Sequence, residues 1–183
     1  MKHELKPVEP PFPADIAAAF ARYPKGDDGY ILKLFRVFAN SRRFLTSKGV
    51  VNLLDSESPL SLREREIVIL RVAANRNCEY EWGVHVSTFA KAAKLSDQQI
   101  RATRLGNCDA TCWTAREGLL IDCVDQLCAH STIADAAYLR FQEQWDLPQQ
   151  LEILALCGNY MLVSLVANTA RIALEEDAAT FPH

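Results

Sequence analysis

The stretch Ser61–His85, "SLREREIVILRVAANRNCEYEWGVH", decides how this chain folds. Ser61 precedes an apolar-periodic run, and Glu64 stands three residues on, the pattern of a capping box. Ile69, Leu70 and Ala73 follow Glu66 at helical spacing, so the run predicts a helix that carries a carboxylate on its apolar face. A short turn at Asn75–Asn77 then leads into a second helix starting at Cys78, with Trp82, Val86, Phe89 and Ala93 as its apolar stripe. Two helices joined by so short a turn must lie antiparallel, which is the unit of a helical bundle.

Outward from this pair the same period continues. Upstream, "ADIAAAFARY" reads as a short helix behind an extended, proline-rich arm, and residues 27–54 read as one longer helical stretch with Leu34, Val37 and Phe38 in register. Downstream, "LSDQQIRATRLG" opens on Ser96 as a cap and stops near Gly106, and "NCDATC" is a loop. "WTAREGLLIDCVDQLCAH" and "TIADAAYLRFQEQW" are amphipathic helices, and "DLPQQLEILALCGNYMLVSLVANTARIALEE" is the last and longest. No strand period appears, so the expected class is all-α, a compact multi-helix bundle. The organisation expected is an arm and short helix over residues 1–24 and a single helical domain over 25–183. A weak internal echo at an offset of 86 residues lays Glu66 on Glu152 and Cys78 on Ser164.

The chain has 183 residues, 49% of them hydrophobic and 23% charged, enough for one domain with a real core. Its formal net charge of -3, with no long run of Lys or Arg, argues against a nucleic-acid partner. The charged, proline-rich start lacks the apolar centre of a signal peptide, and the expected location is cytoplasmic. None of the 6 cysteines forms a C-x-x-C pair, which suits free thiols in a reducing compartment. Cys108, Cys112, Cys123, Cys128 and His130 do not have the spacings of a zinc knuckle or ribbon, so no metal is expected, and the role of that group stays open. No phosphate-binding glycine loop is present, and no nucleotide, flavin or haem cofactor is expected. The apolar span Ile153–Ala170 carries Asn159 and Asn168, which favours a core or interface helix over a membrane span.

The chemistry concentrates on the second helix of the opening stretch. Cys78, Glu81 and His85 follow one another at i, i+3 and i+7 and share one face, at the edge of the apolar stripe. There they lose water and their proton affinities shift. The turn at Asn75–Asn77 can bring Glu66 alongside, giving a candidate catalytic cluster of Glu66, Cys78, Tyr80, Glu81 and His85. A carboxyl group pushed toward neutrality by burial, beside an imidazole that pulls it back, keeps an acid and a base available near neutral pH. The alternative reading of the same residues is architectural, a buried Glu–His pair and a small buried thiol. Candidate pocket residues are Trp82, Asn159 and Tyr160, set against their reading as core or interface groups.

Here the sequence resembles the carboxymuconolactone decarboxylase and alkylhydroperoxidase-D-like superfamily. The resemblance rests on "LSLREREIVILRVAANRNCEYEWGVH", with a looser match over "LEILALCGNYMLVSLVANTARI". It implies an all-helical bundle that assembles as a homo-oligomer, a dimer, trimer or hexamer, and acts on a small molecule. The peroxidase branch carries C-x-x-C, a His four residues after the second Cys, and a Glu twelve before the first. Glu66, Cys78 and His85 keep those positions, but Glu81 replaces the second cysteine in the E-W-x-x-H form found here, with Tyr80 just before it. The proton-relay residues are therefore present and the dithiol is not. The resemblance implies first a decarboxylase-like enzyme using Glu/His acid–base chemistry on a small carboxylated or lactone substrate. A one-cysteine peroxidase through Cys78, its thiolate favoured by a helix N-terminus, is the second implication. A non-catalytic helical scaffold is the third reading.

Overall fold

A computed structural model describes residues 6–46 and 57–183. The described residues form an all-helical bundle without strands: α1 (Ala14–Ala19) with a 3-10 turn (Phe20–Arg22), α2 (Lys33–Phe38), α3 (Arg42–Leu45), α4 (Leu62–Asn75), α5 (Glu79–Phe89), α6 (Asp97–Leu105), α7 (Ala115–His130), α8 (Asp135–Gln144) and α9 (Leu147–Thr169). Local chemistry sets most boundaries. Ser61, Ser96, Thr114 and Asp146 each accept the N–H three residues on, and Glu64, Gln99, Glu117 and Gln149 reach back to close four capping boxes. Each such cap stabilises its helix by about 1 kcal/mol.

Helix α4 is the axis of the bundle, packed against α5, α6, α7 and α9. Every residue from Glu66 to Ala74 is buried, so this part of the helix has no solvent side. Its large aliphatic side chains each contribute roughly 1.5–3 kcal/mol on leaving water. Arg71 is buried too, satisfied by a bidentate pair with Asp125 and by the Thr103 and Gly106 carbonyls.

The single helix expected over residues 27–54 is corrected. Only Lys33–Phe38 and Arg42–Leu45 are helical, because Ser41 turns extended and caps the second piece by accepting the Phe44 N–H. Residues 47–54 of that expectation lie outside the described residues. The aromatic side chains Phe20, Tyr23, Phe35, Phe38 and Phe44 pack ring against ring and hold this N-terminal layer together.

After α9 the chain runs back without helix along α5. It lies so close that a Cβ on Gly83 would sit 2.1 Å from the Ala179 carbonyl oxygen, so only glycine fits there. Glu175 on this tail accepts from the Tyr30 and Tyr80 hydroxyls and the Lys33 N–H, tying α5, the tail and the N-terminal layer together. Among the described residues α9 alone is long and apolar enough to cross a membrane. One face of it (Ile153, Leu156, Tyr160, Val163 and Ala167) is core, and Leu147, Leu151, Leu154, Leu162 and Leu165 stand exposed on the other.

Candidate active site

Glu66 projects inward one turn into α4. The helix ends where Asn77 takes a left-handed conformation (φ 51°) and the Cys78 N–H returns to the Ala73 carbonyl at 2.8 Å. That reversal is a Schellman-type stop. It starts α5 antiparallel to α4 and brings the two faces together. His85 and Glu66 meet at its centre, with Nδ1 2.8 Å from Oε2. On its other side, His85 Nε2 lies 3.3 Å from the Glu81 carboxylate and 3.2 Å from the Tyr160 hydroxyl on α9. The ring is held by Phe89 and by an edge-on contact with Tyr160.

All four groups are almost dry: Glu66 is 2% exposed, His85 4%, Glu81 6% and Tyr160 6%. Burial by itself disfavours a charged imidazole. The two carboxylates outweigh it, Glu66 first, and hold the His85 pKa at about 10 against an ordinary 6.5. At neutral pH His85 is therefore an imidazolium with both N–H groups engaged. Tyr160 is pushed well above its usual value by burial and by the Glu81 and Glu66 charges, so it stays a neutral hydroxyl.

The cluster opens on a cavity of about 440 Å³. Glu81, His85, Asn159 and Tyr160 line it, together with Val84, Thr88, Phe89 and Val163. The N-terminal layer closes the far wall with Tyr23, Pro24, Leu32, Leu34 and Phe35. This volume lies toward the lower end of small-molecule sites.

The structure thus brings Glu66, Glu81, His85, Asn159 and Tyr160 to one site. It places three of the expected residues elsewhere. Tyr80 points its hydroxyl to Glu175 at 2.6 Å and accepts the Leu34 N–H at 3.2 Å, a structural junction behind the cavity wall. Trp82 donates to the Thr103 hydroxyl at 2.9 Å and packs at a tilt against the Phe181 ring, because the tail covers that face of α5. Cys78 is 0% exposed and absent from the cavity wall. The thiolate expected at this helix N-terminus is corrected too. Burial raises the Cys78 pKa and the Glu81 charge adds to it, outweighing the Glu81 N–H and the Ser164 hydroxyl that favour the anion. The echo pair Cys78 and Ser164 does meet here. The other cysteines divide between the loop (Cys108, Cys112), α7 (Cys123, Cys128) and α9 (Cys157), all as free thiols. Among the described residues no group of three or more His, Cys, Asp or Glu side chains is arranged to hold a metal ion.

Sequence reasoning missed the N-terminal wall. Its only trace was the aromatic and aliphatic periodicity of α2, which reports burial but not the partner.

The carboxymuconolactone decarboxylase family model matches residues 45–120, a span that contains Glu66, Glu81 and His85. No curated protein matches the chain in sequence. Among solved structures, one of a protein of unknown function from Agrobacterium tumefaciens, assigned to antioxidant defence as AhpD, is 20% identical with a TM-score of 0.60, covering 64% of this chain and 81% of that one. The debrominase Bmp8 is similar over more of the fold. A cysteine-to-alanine variant in complex with 2,3,4-tribromopyrrole is 10% identical with a TM-score of 0.77, covering 97% of this chain and 94% of that one. The apo form is 10% identical with a TM-score of 0.74, covering 97% and 95%.

Proposed function

We propose that this chain, a member of the carboxymuconolactone decarboxylase and alkylhydroperoxidase-D-like superfamily, is an enzyme that moves protons on a small, mainly apolar substrate. The observation that carries the reading is the His85 ring, clamped between Glu66 and Glu81 at the floor of an apolar cavity. In this reading Glu81 takes a proton from the substrate, at a carbon beside a carbonyl or lactone group, and returns it at the end of the reaction. His85 supplies fixed positive charge where an enolate or carbanion forms, and Glu66 keeps that charge in place without touching substrate. The Nε2–H donates to the Tyr160 oxygen, which frees the Tyr160 O–H to donate to a substrate oxygen. Decarboxylation belongs to the same chemistry, since the carbanion it leaves must be protonated.

That a neighbour of the same fold holds a single halogenated ring supports a one-ring substrate scale. The peroxidase reading is weaker: peroxide cannot reach a fully buried thiol that does not line the cavity, and burial disfavours its thiolate. The exposed leucine stripe of α9 supports a homo-oligomer within this reading. A monomer at every concentration in sedimentation velocity would remove that part.

The test is solvent deuterium incorporation, followed by proton NMR, into a panel of small lactones and β-keto acids. Wild type should label or decarboxylate at least one of them. Glu81→Gln should lower the rate by about 100-fold or more, and Cys78→Ala should leave it within a few-fold. Loss of activity in Cys78→Ala with retention in Glu81→Gln would overturn the proposal.

A further inference from the structure

The cavity wall carries charge at three residues, Glu81, His85 and Arg22. Glu81 and His85 belong to the floor, where two carboxylates face one imidazolium. Arg22 is different. It ends the 3-10 turn after α1, stands exposed at the mouth, and makes no hydrogen bond or ion pair with any described residue. Arg36, Arg63, Arg71 and Arg116 are by contrast held by Glu9, Glu117, Asp125 and Glu64, while Arg140 and Arg171 share the lack of a partner among the described residues but do not line this cavity. Arg22 lies outside residues 45–120, the span matched by the family model.

A guanidinium is a planar fork of donors that suits a carboxylate bidentately. Set at the rim of an otherwise apolar cavity, it has a use that a scattered surface arginine lacks. We infer that Arg22 is a specificity-determining residue that anchors the carboxylate of a small ligand, whose apolar body fills the cavity and whose far end meets Glu81, His85 and Tyr160. This rests on the site proposed above and adds its substrate class and orientation. The mouth offers an unpaired guanidinium to a carboxylate, and the group that reacts lies at the other end of the molecule, beside Glu81, His85 and Tyr160. Leu34, Phe35 and Val84 line the path between them.

Binding can be measured without turnover. Phenylacetate and its neutral analogue phenylacetamide are titrated calorimetrically into the full chain, its Arg22→Gln and Arg22→Lys variants, and Glu81→Gln. Wild type should bind phenylacetate about tenfold or more tighter than the amide, with an advantage that shrinks as salt rises. Arg22→Gln should bring phenylacetate down to the level of the amide and leave the amide unchanged, which also reports an intact cavity. Arg22→Lys should recover part of the difference. Equal phenylacetate affinity in wild type and Arg22→Gln overturns the inference. So does equal loss of both ligands, which would make Arg22 a packing residue, and so does failure of wild type to bind either. If the Arg22 dependence holds while Glu81→Gln leaves every turnover intact, the anchor stands and the proton-transfer reading fails.

Discussion

Replacing Glu66 by glutamine keeps the side chain's shape and removes one charge from its pair with His85. The two groups are 2.8 Å apart, and both are almost fully buried. With charge centres about 4 Å apart and an effective dielectric near 20, the lost attraction is about 4 kcal/mol. That lowers the His85 pKa by about 3 pH units, from about 10 to near neutrality. The sign of the pH dependence follows. The folded-state value lies above the ordinary 6.5, so the native protein keeps a proton that the unfolded chain gives up. The stabilisation is fully present below about pH 6.5 and is lost as pH rises through about 10. Within that window wild type loses about 1.4 kcal/mol per pH unit from this group. Glu66→Gln should therefore be less stable by about 4 kcal/mol near pH 6.5, in line with a broken buried ion pair. The deficit should shrink steadily and nearly vanish by about pH 10.5. Urea unfolding of both proteins across this range measures it. A deficit that stays constant with pH would mean lost packing rather than lost charge, and no deficit near pH 6.5 would refute the pairing.

Gly83→Ala should destabilise the protein by about 1–3 kcal/mol and lower hydrogen-exchange protection over residues 172–181, because its Cβ would collide with the Ala179 carbonyl. A gain in stability, the usual effect of Gly→Ala within a helix, would show that the tail does not lie there. Tyr80→Phe should cost about 1–3 kcal/mol by leaving the Leu34 N–H and Glu175 without their hydroxyl partner, yet deuterium incorporation should persist. Its disappearance would return Tyr80 to the chemistry. Cys78 should resist an aromatic disulfide reagent near pH 8 until the protein unfolds, since it is fully buried with its pKa raised. A fast-reacting thiol that Cys78→Ala removes would contradict this.

The fold was legible wherever local chemistry closes on itself. Ser61 with Glu64, and Ser96 with the sequence after it, announce helix starts that need no tertiary partner. The break at Ser41 was hidden because Leu34, Val37 and Phe38 keep a helical period up to it. At the site, Glu66, Glu81 and His85 were legible because spacing along two antiparallel helices fixes their face. Tyr80 and Trp82 were misdirected for a physical reason. An amphipathic reading allows α5 one buried face, whereas the tail buries a second, taking Trp82 to Phe181 and Tyr80 to Glu175. Tyr23, Phe35 and Arg22 reach the cavity through contacts distant in sequence, and residue spacing holds no trace of those.

The charge on the buried His85 ring can be read by nitrogen-15 NMR of the histidine side chains. The chain has only 4 histidines, and a His85→Asn variant assigns the one of interest. Both His85 ring nitrogens should remain protonated through neutral pH and titrate near about 10. A single neutral tautomer at neutral pH, or an ordinary titration near 6.5, would contradict the account.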